Sequence, residues 1–225
     1  MDFEEFVLAA STGDLAAEPA AREHADAVEF RMDLADAPLE ALVEYDGELP
    51  VLATNRVEWE GGEADDAPER LEDLRVAVEH PRVEAVDLEL SAIAGDDDDP
   101  LRTIAHAREH GAKVVVSIHD FEETPARQEM ARLLDQALEF GDVGKLAVTA
   151  DSPDDVLRLL AVTRGKENAG DPVATMAMGE AGRHSRAVAP LYGSRIGYAP
   201  VDPAEATAPG QYDLATLRDL VERLS

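Results

Sequence analysis

Short apolar, β-branched runs recur along the chain, beginning near Glu5, Ala27, Pro50, Ala85, Lys113, Val143, Val173 and Ser194. Eight starts leave about 28 residues per unit, room for one strand, one helix and two short connections. Helix signals fill the intervals. Asp99-Pro100, Thr124-Pro125 and Ser152-Pro153 each set a capping side chain ahead of a proline at the first helical position. Asp66 with Glu69, and Ser152 with Asp155, read as capping boxes, while Gly111, Gly141 and Gly165 stand where helices are expected to stop. Alternation of this kind and number predicts an α/β fold: a (β/α)8 TIM barrel with eight parallel strands, one domain over residues 1–225. An open doubly wound sheet is the alternative, weakened because no Gly-rich dinucleotide fingerprint follows the first strand.

Charge restricts what such a barrel can bind. The chain carries 49 acidic against 20 basic residues, a formal net charge of -29, and its basic residues are 17 Arg and three Lys. An acidic, lysine-poor surface points to a protein that stays soluble in high salt, where screening weakens self-repulsion. An acidic partner-binding surface is the other reading. Nucleic acid is not an expected partner, because no basic stripe is present to displace counterions from phosphate. No apolar run approaches membrane-spanning length, and Asp2, Glu4 and Glu5 interrupt any apolar signal core, so a cytoplasmic protein with no membrane partner is expected. Absence of cysteine excludes disulfides and thiolate chemistry. The Asp96–Asp99 run reads as a solvated loop ending at a helix cap, not a calcium loop.

Strand parity exposes the site. Side chains alternate between the two faces of a strand, so Val28, Phe30 and Met32 oppose Glu29, Arg31 and Asp33. In the same way Val86, Leu88 and Leu90 oppose Asp87 and Glu89; Val114, Val116 and Ile118 oppose Val115, Ser117 and His119; Leu146 and Val148 oppose Lys145, Ala147 and Thr149. A barrel strand packs its apolar face on helices, so the polar parity faces the interior. Confined charges there cost several kcal/mol each unless paired. A structural ion-pair network accounts for any one of them; the set, spread over several strands, reads as a site at the C-terminal mouth. Lys145 stands out, because a chain that has nearly abandoned lysine keeps one in mid-strand. Among other cations and poorly solvated, such an amine can attack a carbonyl; the alternative is a lysine paired to an interior carboxylate. His119 ends the neighbouring strand, within reach of the same substrate as a general acid/base. His24, His80, His106 and His110 read as surface residues in helical patterns, and His184 as a loop residue near Arg186. No metal-ligand spacing is recognised.

At these residues the sequence resembles the type I 3-dehydroquinate dehydratase family, over most of the chain. The similar segments are Glu29-Phe30-Arg31-Met32-Asp33, Arg56 through Glu60-Gly61-Gly62, Val116 to Phe121 followed by Thr124-Pro125, and Gly144-Lys145-Leu146-Ala147. Met176-Ala177-Met178-Gly179, Gly182, Ser185-Arg186, Tyr192-Gly193-Ser194 and Ala208-Pro209-Gly210-Gln211 complete the order. The resemblance implies a hydro-lyase of the shikimate pathway that takes 3-dehydroquinate to 3-dehydroshikimate by syn elimination of water. Lys145 would form a Schiff base with the C3 ketone. His119 would remove a C2 proton and later protonate the departing C1 hydroxyl, with Glu60 orienting its ring. Arg186 would bind the substrate carboxylate; Glu29, Arg31, Arg56 and Gln211 would hold ring hydroxyls; Met176 and Tyr198 would give apolar contact. Thr207 stands where the family often has Ser, with altered spacing around it. No metal and no organic cofactor is implied, and a homodimer is expected.

Departures from the family bear on the fold. The first strand opens almost at once, leaving no obvious N-terminal closing hairpin, so the barrel bottom is expected to be covered by side chains or by a partner subunit. The loop after Met178 is expected to act as a lid, with Gly179 and Gly182 permitting motion. A class I aldolase and a non-catalytic acid-binding barrel are the competing functions. The first shares Lys145 but needs neither Ser185-Arg186 nor Pro209-Gly210-Gln211, and the second needs neither Lys145 nor His119.

Overall fold

β-Branched and small residues occupy the eight segments that become strands: β1 (Val7–Thr12), β2 (Ala27–Arg31), β3 (Val51–Thr54), β4 (Val83–Glu89), β5 (Lys113–Asp120), β6 (Val143–Thr149), β7 (Val173–Met178) and β8 (Ile196–Pro200). The helices are α1 (Glu18–Ala21), α2 (Pro38–Glu44), α3 (Pro68–Val78), α4 (Leu90–Ile93), α5 (Asp99–Glu109), α6 (Arg127–Phe140), α7 (Pro153–Ala169), α8 (Ser185–Val188) and α9 (Leu214–Leu224). The computed structural model describes residues 1–95, 97–202, 204 and 210–225. All strands are parallel, in the order β7-β6-β5-β4-β3-β2-β1-β8. Between β8 and β7 the seam is drawn together by Arg195 N donating to Val173 O (2.7 Å) and Thr175 N donating to Ser194 Oγ (2.9 Å). A nearly closed (β/α)8 barrel results, as the repeat predicts, and the open-sheet alternative falls.

Parity holds through the sheet. Val28, Phe30, Val86, Leu88, Val114 and Val116 point outward onto Leu42 of α2, Leu71 and Leu74 of α3 and Ile104 of α5. Leu146 and Val148 pack on Met130 and Leu134 of α6 and Val156 and Leu159 of α7. Each such buried side chain contributes about 1.5–3 kcal/mol, which fixes register, since a one-residue slip would drive charges onto the helices.

Inside, the barrel is layered. The bottom is apolar, with Ala9, Leu52, Ala85, Val115, Val143, Ala174 and Ile196 clustered around Phe3. Phe3 is 3% exposed and holds φ +56, a left-handed conformation rare for an aromatic residue. The terminal amine beside it pairs with Glu84. Side chains therefore cover the bottom within one chain, one of the two arrangements anticipated for a barrel with so short a lead into β1.

Several helix boundaries differ from expectation. Ser152 and Asp155 form the expected capping box at α7, but Asp66 and Glu69 do not form one. Ala67 is the N-cap of α3, and the Asp66 carboxylate accepts from the Trp59 indole at 3.2 Å. Thr124 does not cap α6, whose N-cap is Ala126; its hydroxyl donates to Thr149 O (2.7 Å) and ties the end of β6 to the loop after β5. Asp98 is the N-cap of α5, and Asp99 is its first helical residue. Gly165 lies inside α7, which runs on to Gly170 at φ +82. Tertiary packing outweighs a single glycine's cost of about 1 kcal/mol there.

Candidate active site

Above the apolar floor the inward residues are charged. Strand register sets Asp87 of β4 beside Thr54 of β3, Ser117 of β5 beside Glu89 and Lys145, and His119 beside Ala147. Pleat alternation then puts His119 one inward step nearer the mouth than Lys145, on the adjacent strand. The Lys145 Nζ donates to Asp87 Oδ2 (2.9 Å), lies 3.9 Å from Glu29 Oε1, and sits 4.3 Å from the centroid of the Tyr198 ring. Its immediate partners are thus carboxylates and a π-face, the pairing given as the alternative from sequence, and the cations form the next layer. Arg56 donates to Glu89 Oε1 (2.9 Å) and Ser117 Oγ (2.8 Å), and its other nitrogen lies 2.9 Å from Asp87 Oδ1. Arg70, reaching in from α3, holds the second Glu89 oxygen at 2.9 Å. Glu29 is held by Ser11 (2.6 Å) and Thr54 (3.3 Å), and Arg31 forms a two-pronged pair with Asp33 (2.8 and 2.6 Å).

Protonation follows from this layout. Burial would raise the Asp87 carboxyl, but Arg56 and Lys145 outweigh it and hold Asp87 below the usual carboxylate range. Arg56, surrounded by Asp87, Glu89 and Glu60, is held above its ordinary range despite burial. His119 is pushed well below its ordinary 6.5, first by burial and then by Arg56 and Lys145. It is neutral at physiological pH. Its Nδ1 is 2.8 Å from Glu60 Oε2, and Ser91 Oγ donates to Glu60 Oε1 at 2.8 Å. Burial raises Glu60 from 4.5 to about 7, opposed by Arg56 and Ser91. With Glu60 ionised, Nδ1 donates to it and the Nε2 lone pair is left free. The Gly61-Gly62 pair is needed sterically: a Cβ on Gly61 (φ +80) would lie 2.6 Å from the Phe121 ring, and one on Gly62 would lie 1.9 Å from Arg56 O.

One buried cation has no counter-charge among the described residues. Arg186, on α8, is buried, forms no ion pair among the described residues, and is lowered to about 10 by burial alone. It faces the same cavity as Lys145 and His119. Glu29, Arg31, Arg56, Glu60, Met176, Tyr198 and Gln211 also line it. Of the site residues expected from sequence, only Thr207 lies outside the described residues. Burial and the nearby Glu29 and Asp87 push the Tyr198 phenol well above 10, so it stays protonated.

Sequence reasoning missed Phe121, whose ring stacks on His119 (centroids 6.0 Å apart, 13° between planes), and Met178 on the cavity wall. It also missed Ser91 and Arg70, which act through Glu60 and Glu89 and come from helices with no parity signal. In the loop after β7, Gly182 answers to a close approach: a Cβ there would lie 2.5 Å from Met178 O.

These features define a class: a (β/α)8-barrel enzyme whose cavity offers an amine, an imidazole and an unpaired guanidinium to one small anionic molecule. A model of the family described as type I 3-dehydroquinase matches residues 9–225, and the chain belongs to that family. It is 62% identical over 225 residues to a 3-dehydroquinate dehydratase of Haloarcula marismortui, covering 100% of this chain and 98% of the relative. It is 55% identical to that of Halobacterium salinarum, covering 100% of each. The crystal structure of 3-dehydroquinate dehydratase from Geobacillus kaustophilus is similar with a TM-score of 0.85 at 29% identity, covering 98% of this chain and 91% of that one.

Proposed function

We propose that this chain dehydrates 3-dehydroquinate to 3-dehydroshikimate through a Schiff base on Lys145. The observation that carries the reading is the buried amine of Lys145 and the neutral imidazole of His119 on adjacent strands, in one cavity with the unmatched cation Arg186. Arg186 takes the substrate carboxylate, which a planar guanidinium suits geometrically. Lys145, once deprotonated, adds to the C3 ketone, and loss of water gives an iminium that acts as electron sink. Free Nε2 of His119 removes a C2 proton, leaving an enamine. The resulting imidazolium, stabilised by Glu60, protonates the C1 hydroxyl as it leaves; the nitrogen lone pair re-forms the iminium, the enamine π pair becomes the C1=C2 double bond, and the C–O pair departs with the oxygen as water. Hydrolysis frees the product and restores Lys145. One imidazole serving both proton transfers from one side accounts for syn elimination. Glu29, Arg31, Arg56 and Gln211 orient the ring, Met176 and Tyr198 supply apolar walls, and Thr207 belongs to the same proposed set.

Borohydride with substrate tests the covalent step. The wild type should gain mass on the peptide holding Lys145, and Lys145→Ala should gain none and form no conjugated enone in an absorbance assay. A structural lysine would show the same Asp87 pairing, so turnover near the normal rate in Lys145→Ala ends the proposal. A homodimer and a cytoplasmic location complete the reading. Light scattering in high salt tests the dimer.

A further inference from the structure

Far from the catalytic mouth, helices α3 and α5 lie side by side on the outer layer of the barrel. Both run antiparallel to the strands, so both end at the bottom. Glu79 is the C-cap of α3 and His110 the C-cap of α5, with His106 one turn earlier on the same face. One ligand atom from each of Glu79, His106 and His110 lies within 4.8 Å of the others, the one such set of three among the described residues. We propose that these three side chains form a structural site for a zinc-class divalent transition metal that ties α3 to α5.

Four features favour this ligand chemistry. Two imidazoles and a carboxylate suit zinc and its neighbours in the first transition row, and suit magnesium or calcium poorly. The His106 Nε2 is buried, lacks a hydrogen-bond partner, and stands 3.3 Å from Glu79 Oε1. That separation matches the edge of about 3.3 Å expected between two ligands on a tetrahedral zinc. The His110 Nδ1 lies 3.0 Å from His106 O, and a carbonyl only accepts, so Nδ1 carries the proton and Nε2 keeps the lone pair. A backbone acceptor on the far nitrogen is the usual support of a metal-binding histidine. The two rings, centroids 4.3 Å apart, are already on one side of α5. Finally, two helix C-termini converge here, and their partial negative charges favour a cation. The remaining coordination position opens to water, since Glu79 and His110 are exposed. The sequence placed His106 and His110 on the surface with no metal-ligand spacing recognised, because the third side chain, Glu79, comes from another helix and meets them only through packing.

The test must separate this site from loose binding by an acidic surface. Protein stripped with EDTA in high KCl is titrated with Zn²⁺, and bound metal and melting temperature are measured, with Mg²⁺ in parallel. Expected is one tightly bound Zn²⁺ per chain and a melting temperature raised by about 5 °C or more at hundredfold excess over Kd. The double variant His106→Ala/His110→Ala should melt with the wild type in EDTA, dehydrate substrate at the wild-type rate, and lose both the tight Zn²⁺ and the Zn²⁺-dependent rise. Mg²⁺ should act equally on both proteins. Glu79→Gln, which keeps both imidazoles, should weaken Zn²⁺ binding about tenfold. Equal Zn²⁺ effects on wild type and double variant would assign the binding to surface carboxylates and overturn the proposal, as would no tight Zn²⁺ in the wild type.

Discussion

Replacing Glu60 by Gln isolates the charge that supports His119 while keeping a carbonyl to accept Nδ1–H and an amide to donate to Ser91 Oγ. Folding raises the carboxyl from 4.5 to about 7, chiefly by burial, and that gap corresponds to about 3 kcal/mol of penalty on the ionised form. The sign follows from linkage: between these two values the folded protein binds more protons at Glu60 than the unfolded chain, so wild-type stability falls as pH rises from 4.5 to about 7. The Gln variant has no such group. Denaturant unfolding in high salt should show the two proteins converging near pH 4, and the variant more stable by up to about 3 kcal/mol at pH 8. Activity should move the other way. With Glu60 ionised, His119 holds its proton on Nδ1 and offers Nε2 as a base; a protonated Glu60 donates to Nδ1 and reverses the tautomer. The acid limb of the wild-type kcat profile should therefore lie near pH 7, following Glu60, because His119 titrates well below 6.5. In Glu60→Gln that limb should vanish, and kcat at pH 8 should drop about 100-fold, as the imidazolium loses its counter-charge. An unchanged limb in the variant, or a variant less stable than wild type at pH 8, would refute the assignment.

Ser91→Ala removes a hydrogen bond that lowers the Glu60 carboxyl, so its acid limb should shift to higher pH while KM stays close to normal. Arg186→Met should have opposite effects on binding and on stability. Removing a buried guanidinium depressed from 12.5 to about 10 should stabilise the fold by about 3 kcal/mol, and loss of the carboxylate partner should raise KM at least about 30-fold; a variant with normal KM would remove Arg186 from the site. Phe3→Ala should cost about 3–5 kcal/mol in denaturant unfolding, and a change under 1 kcal/mol would mean that the barrel floor needs no plug. Because the net charge is -29, the melting temperature should rise steeply as KCl goes from about 0.1 to about 1 M, where the screening length falls to about 3 Å; full stability in dilute buffer would contradict this.

What the sequence made legible was what repeats along one strand. Alternation placed Glu29, Asp87, Ser117, His119 and Lys145 inside the barrel because a pleat leaves each residue a choice of only two faces. It also made the outer face legible, since Val86 and Val116 must meet helices if Asp87 and Ser117 do not. Partners from other units escaped this logic. Ser91 reaches Glu60 from the short helix that follows β4, and Arg70 reaches Glu89 from the first turn of α3; no periodicity in one element encodes a neighbour in another. Helix caps failed for a related reason. Thr124 carries a capping signal ahead of Pro125, yet its hydroxyl finds a carbonyl on β6, a long-range partner that a local rule cannot weigh. Lys145 was legible by position and only in outline by company: alternation said that it faced inward and left pairing to an interior carboxylate as one of two readings, and only the closed barrel put Asp87 against it.

Charge balance inside the barrel connects this layout to turnover. Glu29, Asp33, Asp87 and Glu89 match Arg31, Arg56, Arg70 and Lys145 through the pairs described above, four against four. The acidic excess of the chain is therefore excluded from this matched set and can be screened by salt outside it. Among the described residues, two buried charges remain without a dedicated partner. Arg186 has no carboxylate there, and Glu60, whose nearest cation Arg56 is 3.8 Å away and already bonded to Asp87 and Glu89, is ionised only above about pH 7. In the proposed cycle each is answered by one event. The substrate carboxylate neutralises Arg186 on binding, and the C2 proton that moves to His119 creates the imidazolium that answers Glu60. The resting protein carries both electrostatic costs; the Arg186 contact is made on binding and holds the substrate, whereas the one that answers Glu60 exists only while the proton is on His119, which is where an interaction accelerates a reaction. That accounts for buried groups that weaken the fold being kept beside a network that is otherwise matched.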